Sequence, residues 1–427
     1  MTLQLMTHTV LRTYMHRDTE TGAGHVDVAI IGGGIAGCYA AYRIQQLYPD
    51  TSVLLIEADQ QLGGRAQTDM FNGVAVPTGA GVGRLNNDVL LQLVMTELDF
   101  PIKPFTTGHG FLAGDELVCT VEQDFKKLRH DYLQQRTTPE SPPRLTFRDF
   151  ASKRLSNYKR FIACTGYSDF EDADAADVFF RYSFDDNYTS WPAFGVPWSK
   201  LIAAMTQEIP CLLNTRVEGL RRTSDGSLVL TCLHENTASV KRFKAARVII
   251  ATGAATLRHL LPTYRLYDHI HGQPFLRIYG AFETRSVKLL ASVLPTAGVT
   301  VLPGSPLQKM LPIRDGVYMI AYSDNTDAVA LRRLTRDDVT TRATLCRLLE
   351  EALRLPDGSL HLTAIRAYYW SAGTHYFDPL ATDTYKTRTQ FVEAVQRPAP
   401  GILVAGECVA LHQGWVEGAL ISVENIL

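Results

Sequence analysis

Gly32, Gly34 and Gly37 stand in the spacing G-x-G-x-x-G, and an acid, Glu57, follows about 20 residues after the last of them. Glycines at these places let a backbone turn sharply and come close to a pyrophosphate. A carboxylate at that distance can accept both hydroxyls of a ribose. Gly63-Gly64-Arg65 adds a loop whose cation can reach back to the same phosphates. The chemistry on offer is recognition of a dinucleotide along its length.

Those residues need particular elements to hold them. Asp27–Ile31 is a short apolar run of the kind that forms a buried parallel strand. Ile35–Leu47 carries apolar residues at helical spacing, so its free N–H groups and positive dipole end would face the phosphates. Val53–Ile56 reads as the second strand, ending at Glu57. Strand, helix, second strand and acid fall in register, which a chance cluster of glycines would not give.

The chain has 427 residues, enough for two or three domains. Its net charge of −2 gives no reason to expect nucleic acid or an anionic membrane as a partner. Seven cysteines are scattered with no C-x-x-C pair, so neither a disulfide framework nor a metal site is expected, and a cytoplasmic or other soluble reducing compartment fits best. No apolar run is long enough for a membrane span. Residues 1–24 lack the apolar core of a secretory signal and read as a flexible tail.

Further along, Asn86–Leu98 is a helix candidate capped by Asn87 or Asp88, and Gly110–Thr120 alternates like a hairpin strand. The proline-rich Thr137–Arg144 reads as a loop into a second domain. Leu145–Tyr188 reads as mostly helical, its acids Glu171–Asp177 forming a solvated face. Trp198–Glu208 and Arg336–Leu353 have helical patterns. Thr215–Leu220, Leu228–Leu233, Lys241–Ala251, Gly272–Glu283, Gly316–Tyr322 and Thr363–Trp370 read as strands. Gly401–Leu427 gives a strand, a glycine-rich loop and a helix starting near Gly418.

Three separated segments, IIGGGIAG…LIEA…LGGR, RVIIATGA and ILVAGE…GWVEGALIS, together resemble the flavin-containing amine oxidases, which include monoamine, polyamine and L-amino acid oxidases. The resemblance implies an α/β protein with a discontinuous Rossmann-like FAD-binding domain, here 25–100, 200–256 and 395–427. An α+β substrate domain with a mixed sheet and helices would occupy 101–199 and 257–394. It implies that Gly32, Gly34, Gly37, Glu57 and Arg65 hold the ADP half, with Val217 against the adenine. Glu407 would bond the ribityl–pyrophosphate region. Val416, Gly418 and Ala419 would lie at the pyrimidine edge of the flavin, where a helix N-terminus stabilises negative charge.

By the same resemblance, Trp415 and Tyr376 would form facing aromatic walls that guide a neutral amine to the flavin, with ordinary core packing as the alternative. His375 lies beside the place where monoamine oxidases carry a flavin-attaching cysteine, so non-covalent FAD is expected. Arg84 lies in a glycine-then-arginine segment similar to one that grips the substrate carboxylate in L-amino acid oxidases; a structural salt bridge is its rival role. Many members place a lysine, bonded through water to flavin N5, where this chain has Arg277, with Lys309 nearby as a substitute.

The leading expectation is oxidation of a small amine or L-amino acid, with O2 reoxidising the flavin. A desaturase or porphyrinogen-type oxidase of an apolar substrate, and a non-catalytic flavin-stabilised scaffold, are the alternatives. The oligomeric state is open.

Overall fold

The computed structural model describes residues 16–17, 24–112, 118–136, 144–187, 189–295, 298–380 and 384–427. The strand Gly24–Ile31 lies between two parallel neighbours, with Ile31 opposite both Ile56 and Ile250. Its run of apolar side chains is needed because both faces are covered. Ile31, Ile56 and Ile250 enter one core cluster, while Ile30, Leu55 and Ile249 enter another on the opposite face. Helix Ile35–Leu47 covers the second face through Ala40, Ala41 and Ile44.

The long strand Ser239–Ile250 serves two further partners on its other edge. Its first half pairs antiparallel with Leu228–His234, which in turn pairs with Thr215–Arg222. Its last three residues pair in parallel with Ile402–Val404. Pieces far apart in the chain thus finish one sheet, and the carboxyl ends of its parallel strands open on one edge. Ligands bind at that edge in open α/β sheets.

A second sheet has the order Leu362–Phe377, Ile270–Phe282, Val317–Asp324, Lys309–Arg314, Val299–Val301 and His109–Gly110. Its pairs are antiparallel except the last, which is parallel. The mixed α/β architecture is the one expected. Helix Val339–Leu353 buries Leu345, Leu349 and Leu353 in a core shared with this sheet. Helices Val118–Arg136, Phe147–Ala151, Tyr158–Thr165 and Ala175–Phe180 form a separate layer around phenylalanines, in which Phe125 and Phe184 stack with centres 3.8 Å apart.

Several expectations need correction. The alternation in Gly110–Thr120 does not make a hairpin strand: only His109–Gly110 is extended, and the helix Val118–Arg136 has begun by the end of that stretch, with residues 113–117 outside the described residues. Most of the tail, and residues 137–143 of the expected loop, also lie outside them. His16–Arg17 pairs with Gly24 and His25. The acids Glu171–Asp177 are not a solvated face. Asp174 is fully buried, accepts from Ala176 N (2.9 Å) as the helix cap, and meets Arg388 at 3.1 Å and Arg144 at 3.2 Å. Local sequence gave no hint of those distant arginines.

Candidate active site

The glycine loop is shaped by close approaches. Gly32 has φ +101°, and a Cβ on Gly37 would stand 1.9 Å from the Gly32 carbonyl, so helix and turn can touch only because Gly37 lacks a side chain. A Cβ on Gly34 would meet nothing within 4 Å. That open side faces a continuous cleft lined by Gly32, Gly34, Ile35 and Glu57. Gly63 N donates to the Gly33 carbonyl at 2.7 Å, docking the second glycine loop on the first. The Glu57 carboxylate accepts from Gly33 N at 2.6 Å and Asp59 N at 2.8 Å. Burial raises its pKa, and those two amides work in the other direction. Val217 is buried where its strand bulges, and it lines the same end of the cleft.

Midway along, Glu407 ties three segments together. It accepts from Arg65 Nη1 at 2.9 Å, His375 Nδ1 at 2.6 Å, His375 N at 3.0 Å and Gly414 N at 2.9 Å. Arg65 also donates to the Gly373 carbonyl at 2.7 Å. Burial by itself would raise the Glu407 pKa, but the His375 and Arg65 charges outweigh it and hold the carboxyl well below the usual range. Arg65 therefore lines the cleft while anchored to Glu407.

The helix Val416–Glu424 begins at the cleft, with Trp415 as N-cap and no side chain capping its first turn. Trp415, Val416 and Ala419 line the cleft. Gly418 has a different role: a Cβ there would stand 2.0 Å from the His412 carbonyl, so it permits the loop to fold over the helix start. Glu417 accepts from Leu90 N at 2.8 Å and Leu91 N at 3.1 Å, serving as a remote cap for helix Val89–Glu97. Asp88, the N-cap residue of that helix, is engaged elsewhere.

Its partner is Arg84. Nε and Nη2 donate to Asp88 Oδ1 at 2.9 and 2.7 Å, and Arg84 N donates to Oδ2 at 2.7 Å. Arg84 is buried and does not line the cleft. The salt-bridge role is the one the structure displays, so the carboxylate-gripping placement is corrected. Tyr376 is corrected as well. Along the strand Leu362–Phe377, successive side chains face opposite ways. His375 lines the cleft, whereas Tyr376 packs against the phenylalanine layer.

The far end of the cleft is a chamber with aromatic walls. Trp370 donates Nε1 to the Thr78 carbonyl at 2.9 Å, and Tyr322 meets Phe275 edge-on with centres 5.0 Å apart. Arg277, Asp169 and Tyr167 also line it. Lys309 does not. Its Nζ lies 2.6 Å from the centre of the Tyr167 ring and 4.1 Å from that of Tyr322, and it has no hydrogen-bond partner. Burial depresses its pKa strongly and Arg277 adds to this, against opposing pulls from Asp324 and Asp169. Arginine, not lysine, faces the chamber. Asp169, Tyr322 and Trp370 carried no motif in the sequence; Trp370 lies five residues before His375 and was legible only as strand.

Among the described residues no group of three His, Cys, Asp or Glu side chains could hold a metal ion, and no helix is long and apolar enough to cross a membrane.

With this geometry in view, residues 30–94 match the NAD(P)-binding Rossmann-like domain family. The chain is 41% identical to the uncharacterized protein R188 of Acanthamoeba polyphaga mimivirus, over 94% of this chain and 93% of that one. It belongs to the same family as that protein. A shorter stretch, 22% of this chain and 20% of the relative, is 33% identical to the FAD-dependent oxidoreductase dpasF of Apiospora sacchari. Wild-type putrescine oxidase bound to putrescine superimposes with a TM-score of 0.70 at 15% identity, covering 94% of this chain and 98% of that one. A triple mutant of the same enzyme gives 0.71. The fold is that of the flavin amine oxidases.

Proposed function

We propose that this protein is an FAD-dependent oxidase of a small amine or amino acid. One observation carries the reading: a single cleft joins the glycine loop and Glu57 to the chamber walled by Trp370, Tyr322 and Trp415. The open space beside Gly34 accommodates a pyrophosphate, Glu57 suits a ribose, and the uncapped start of helix Val416–Glu424 suits an electron-rich ring edge. Bound FAD would supply the two-electron acceptor for a hydride leaving the carbon that bears nitrogen. Glu407 would keep Arg65 and His375 in place along the middle of the coenzyme, and the aromatic walls would exclude water from the reacting carbon. The imine product would hydrolyse in water, and O2 would take the electrons as H2O2. No cysteine lines the cleft among the described residues, which supports a dissociable coenzyme.

The polar groups Asp169 and Arg277 weigh against a long apolar substrate. The test is anaerobic bleaching of the FAD-loaded protein by a panel of aryl amines, polyamines and L-amino acids. Loss of the visible flavin band with one of these classes is the expected result. A yellow protein that none of them bleaches would refute the reading.

A further inference from the structure

Four basic side chains line the cleft: Arg65, Arg216, His375 and Arg277. Arg65 and His375 share Glu407, and Arg216 meets Glu235 at 2.6 Å. Arg277 differs from them. It is only 3% exposed, its Nε has no partner, and among the described residues no carboxylate forms a salt bridge with it; the phenols of Tyr322 and Tyr279 are the groups that most support its charge. A guanidinium stays charged when buried, so a counter-ion is missing at this point.

The cleft that Arg277 lines is where one could enter. Arg277 pairs across the sheet with Tyr322, and its guanidinium carbon lies 4.6 Å from the centre of that ring. Nη1 and Nη2 are the atoms nearest Gly81, where an added Cβ would come into ordinary contact with them at 3.7 and 3.6 Å. The opposite sign of charge is provided nearby. Asp169 lines the same chamber, accepting from the Tyr182 hydroxyl. Neither Arg84, held by Asp88, nor Lys309, behind two tyrosines, competes for an anion.

We infer that Arg277 is the anion-holding residue of the chamber and that the substrate carries a carboxylate as well as its amine. This rests on the oxidase reading above. A planar guanidinium can bind a carboxylate through two parallel hydrogen bonds and so fix the neighbouring carbon. The unpaired buried charge then becomes paired when substrate enters.

The test uses FAD-loaded protein and two non-oxidisable probes of matched shape, benzoate and benzamide, titrated by calorimetry. Wild type should prefer benzoate on the order of 10- to 100-fold, the range for a charge-assisted hydrogen bond. Arg277→Met should abolish the preference, and Arg277→Lys should keep part of it. Equal binding of the two probes by wild type overturns the inference, whether or not the methionine variant folds. So does a preference that survives in Arg277→Met. A protein that stays colourless after soaking with FAD refutes the oxidase reading and this one together, whereas a yellow protein indifferent to benzoate refutes this one alone.

Discussion

The guanidinium carbon of Arg84 lies 3.8 Å from the centre of the Trp415 ring. Asp88 holds the cation there, so Arg84 acts on the cleft only by backing one of its walls. Arg84→Ala would leave the 1%-exposed Asp88 without its counter-ion, a defect of about 3–5 kcal/mol. Equilibrium denaturation should show this loss. The ratio of benzoate to benzamide affinity should remain that of wild type, and a collapsed ratio would return Arg84 to the substrate.

Glu407 supports its neighbours in a way that depends on pH. Its carboxyl is held below its ordinary value of 4.5, so the stabilisation is complete above that pH and is lost as the pH falls below it. Glu407→Gln should cost about 3 kcal/mol or more at pH 7, the defect of a broken buried ion pair. The gap from wild type should narrow steadily in urea denaturation at progressively more acid pH. A gap that stays constant would mean the carboxylate charge is not what binds Arg65 and His375 in place.

Asp169 has the opposite sign. Burial, with the Asp324 charge behind it, pushes its pKa from 3.8 up to about 7, against the Tyr182 hydroxyl and Lys309. The folded protein therefore takes up a proton in that window, and stability falls as the pH rises through it. Asparagine does not titrate. Asp169→Asn should gain on wild type between pH 4 and pH 8, and parallel stability curves would argue against a strained carboxylate.

The two glycines of the first loop should separate folding from coenzyme binding. Gly37→Ala drives a Cβ into the Gly32 carbonyl, backbone against backbone, and should destabilise the protein while weakening FAD binding. Gly34→Ala meets no protein atom within 4 Å and sits at a helix N-cap with φ −69°. It should cost less than about 1 kcal/mol in stability. Its FAD dissociation constant should nonetheless rise at least as much as that of Gly37→Ala. A Gly34→Ala variant that binds FAD normally would show that the pyrophosphate does not pass this residue.

The parts legible in the sequence are those whose rules are local. Gly32, Gly34, Gly37 and Glu57 are fixed by spacing along one strand–helix–strand unit, and that unit forms as Gly24–Ile31, Ile35–Leu47 and Val53–Ile56. Which of His375 and Tyr376 faces the cleft was not local. It depends on pairing with Ile270–Phe282, whose register slips between Gln273 and Phe275, and one residue of slip exchanges the two faces. Asp88 stands four residues after Arg84, but its place before the helix marks it as a cap, and only the fold shows it as an ion-pair partner. The acids around Asp174 read as solvent-facing because Arg388, their main counter-charge, comes 214 residues later. Charge runs show their burial only when the partner is known.

Arg65 and Glu407 meet across 342 residues of chain, and the strand Ile402–Val404 and helix Val416–Glu424 close the same cleft. During synthesis the nucleotide loop leaves the ribosome long before its other half has been translated. The cleft is therefore complete only once the last segment of the chain has been made. Until then a nascent chain carries a short open sheet edge at Val248–Ile250, the place its last strand will fill.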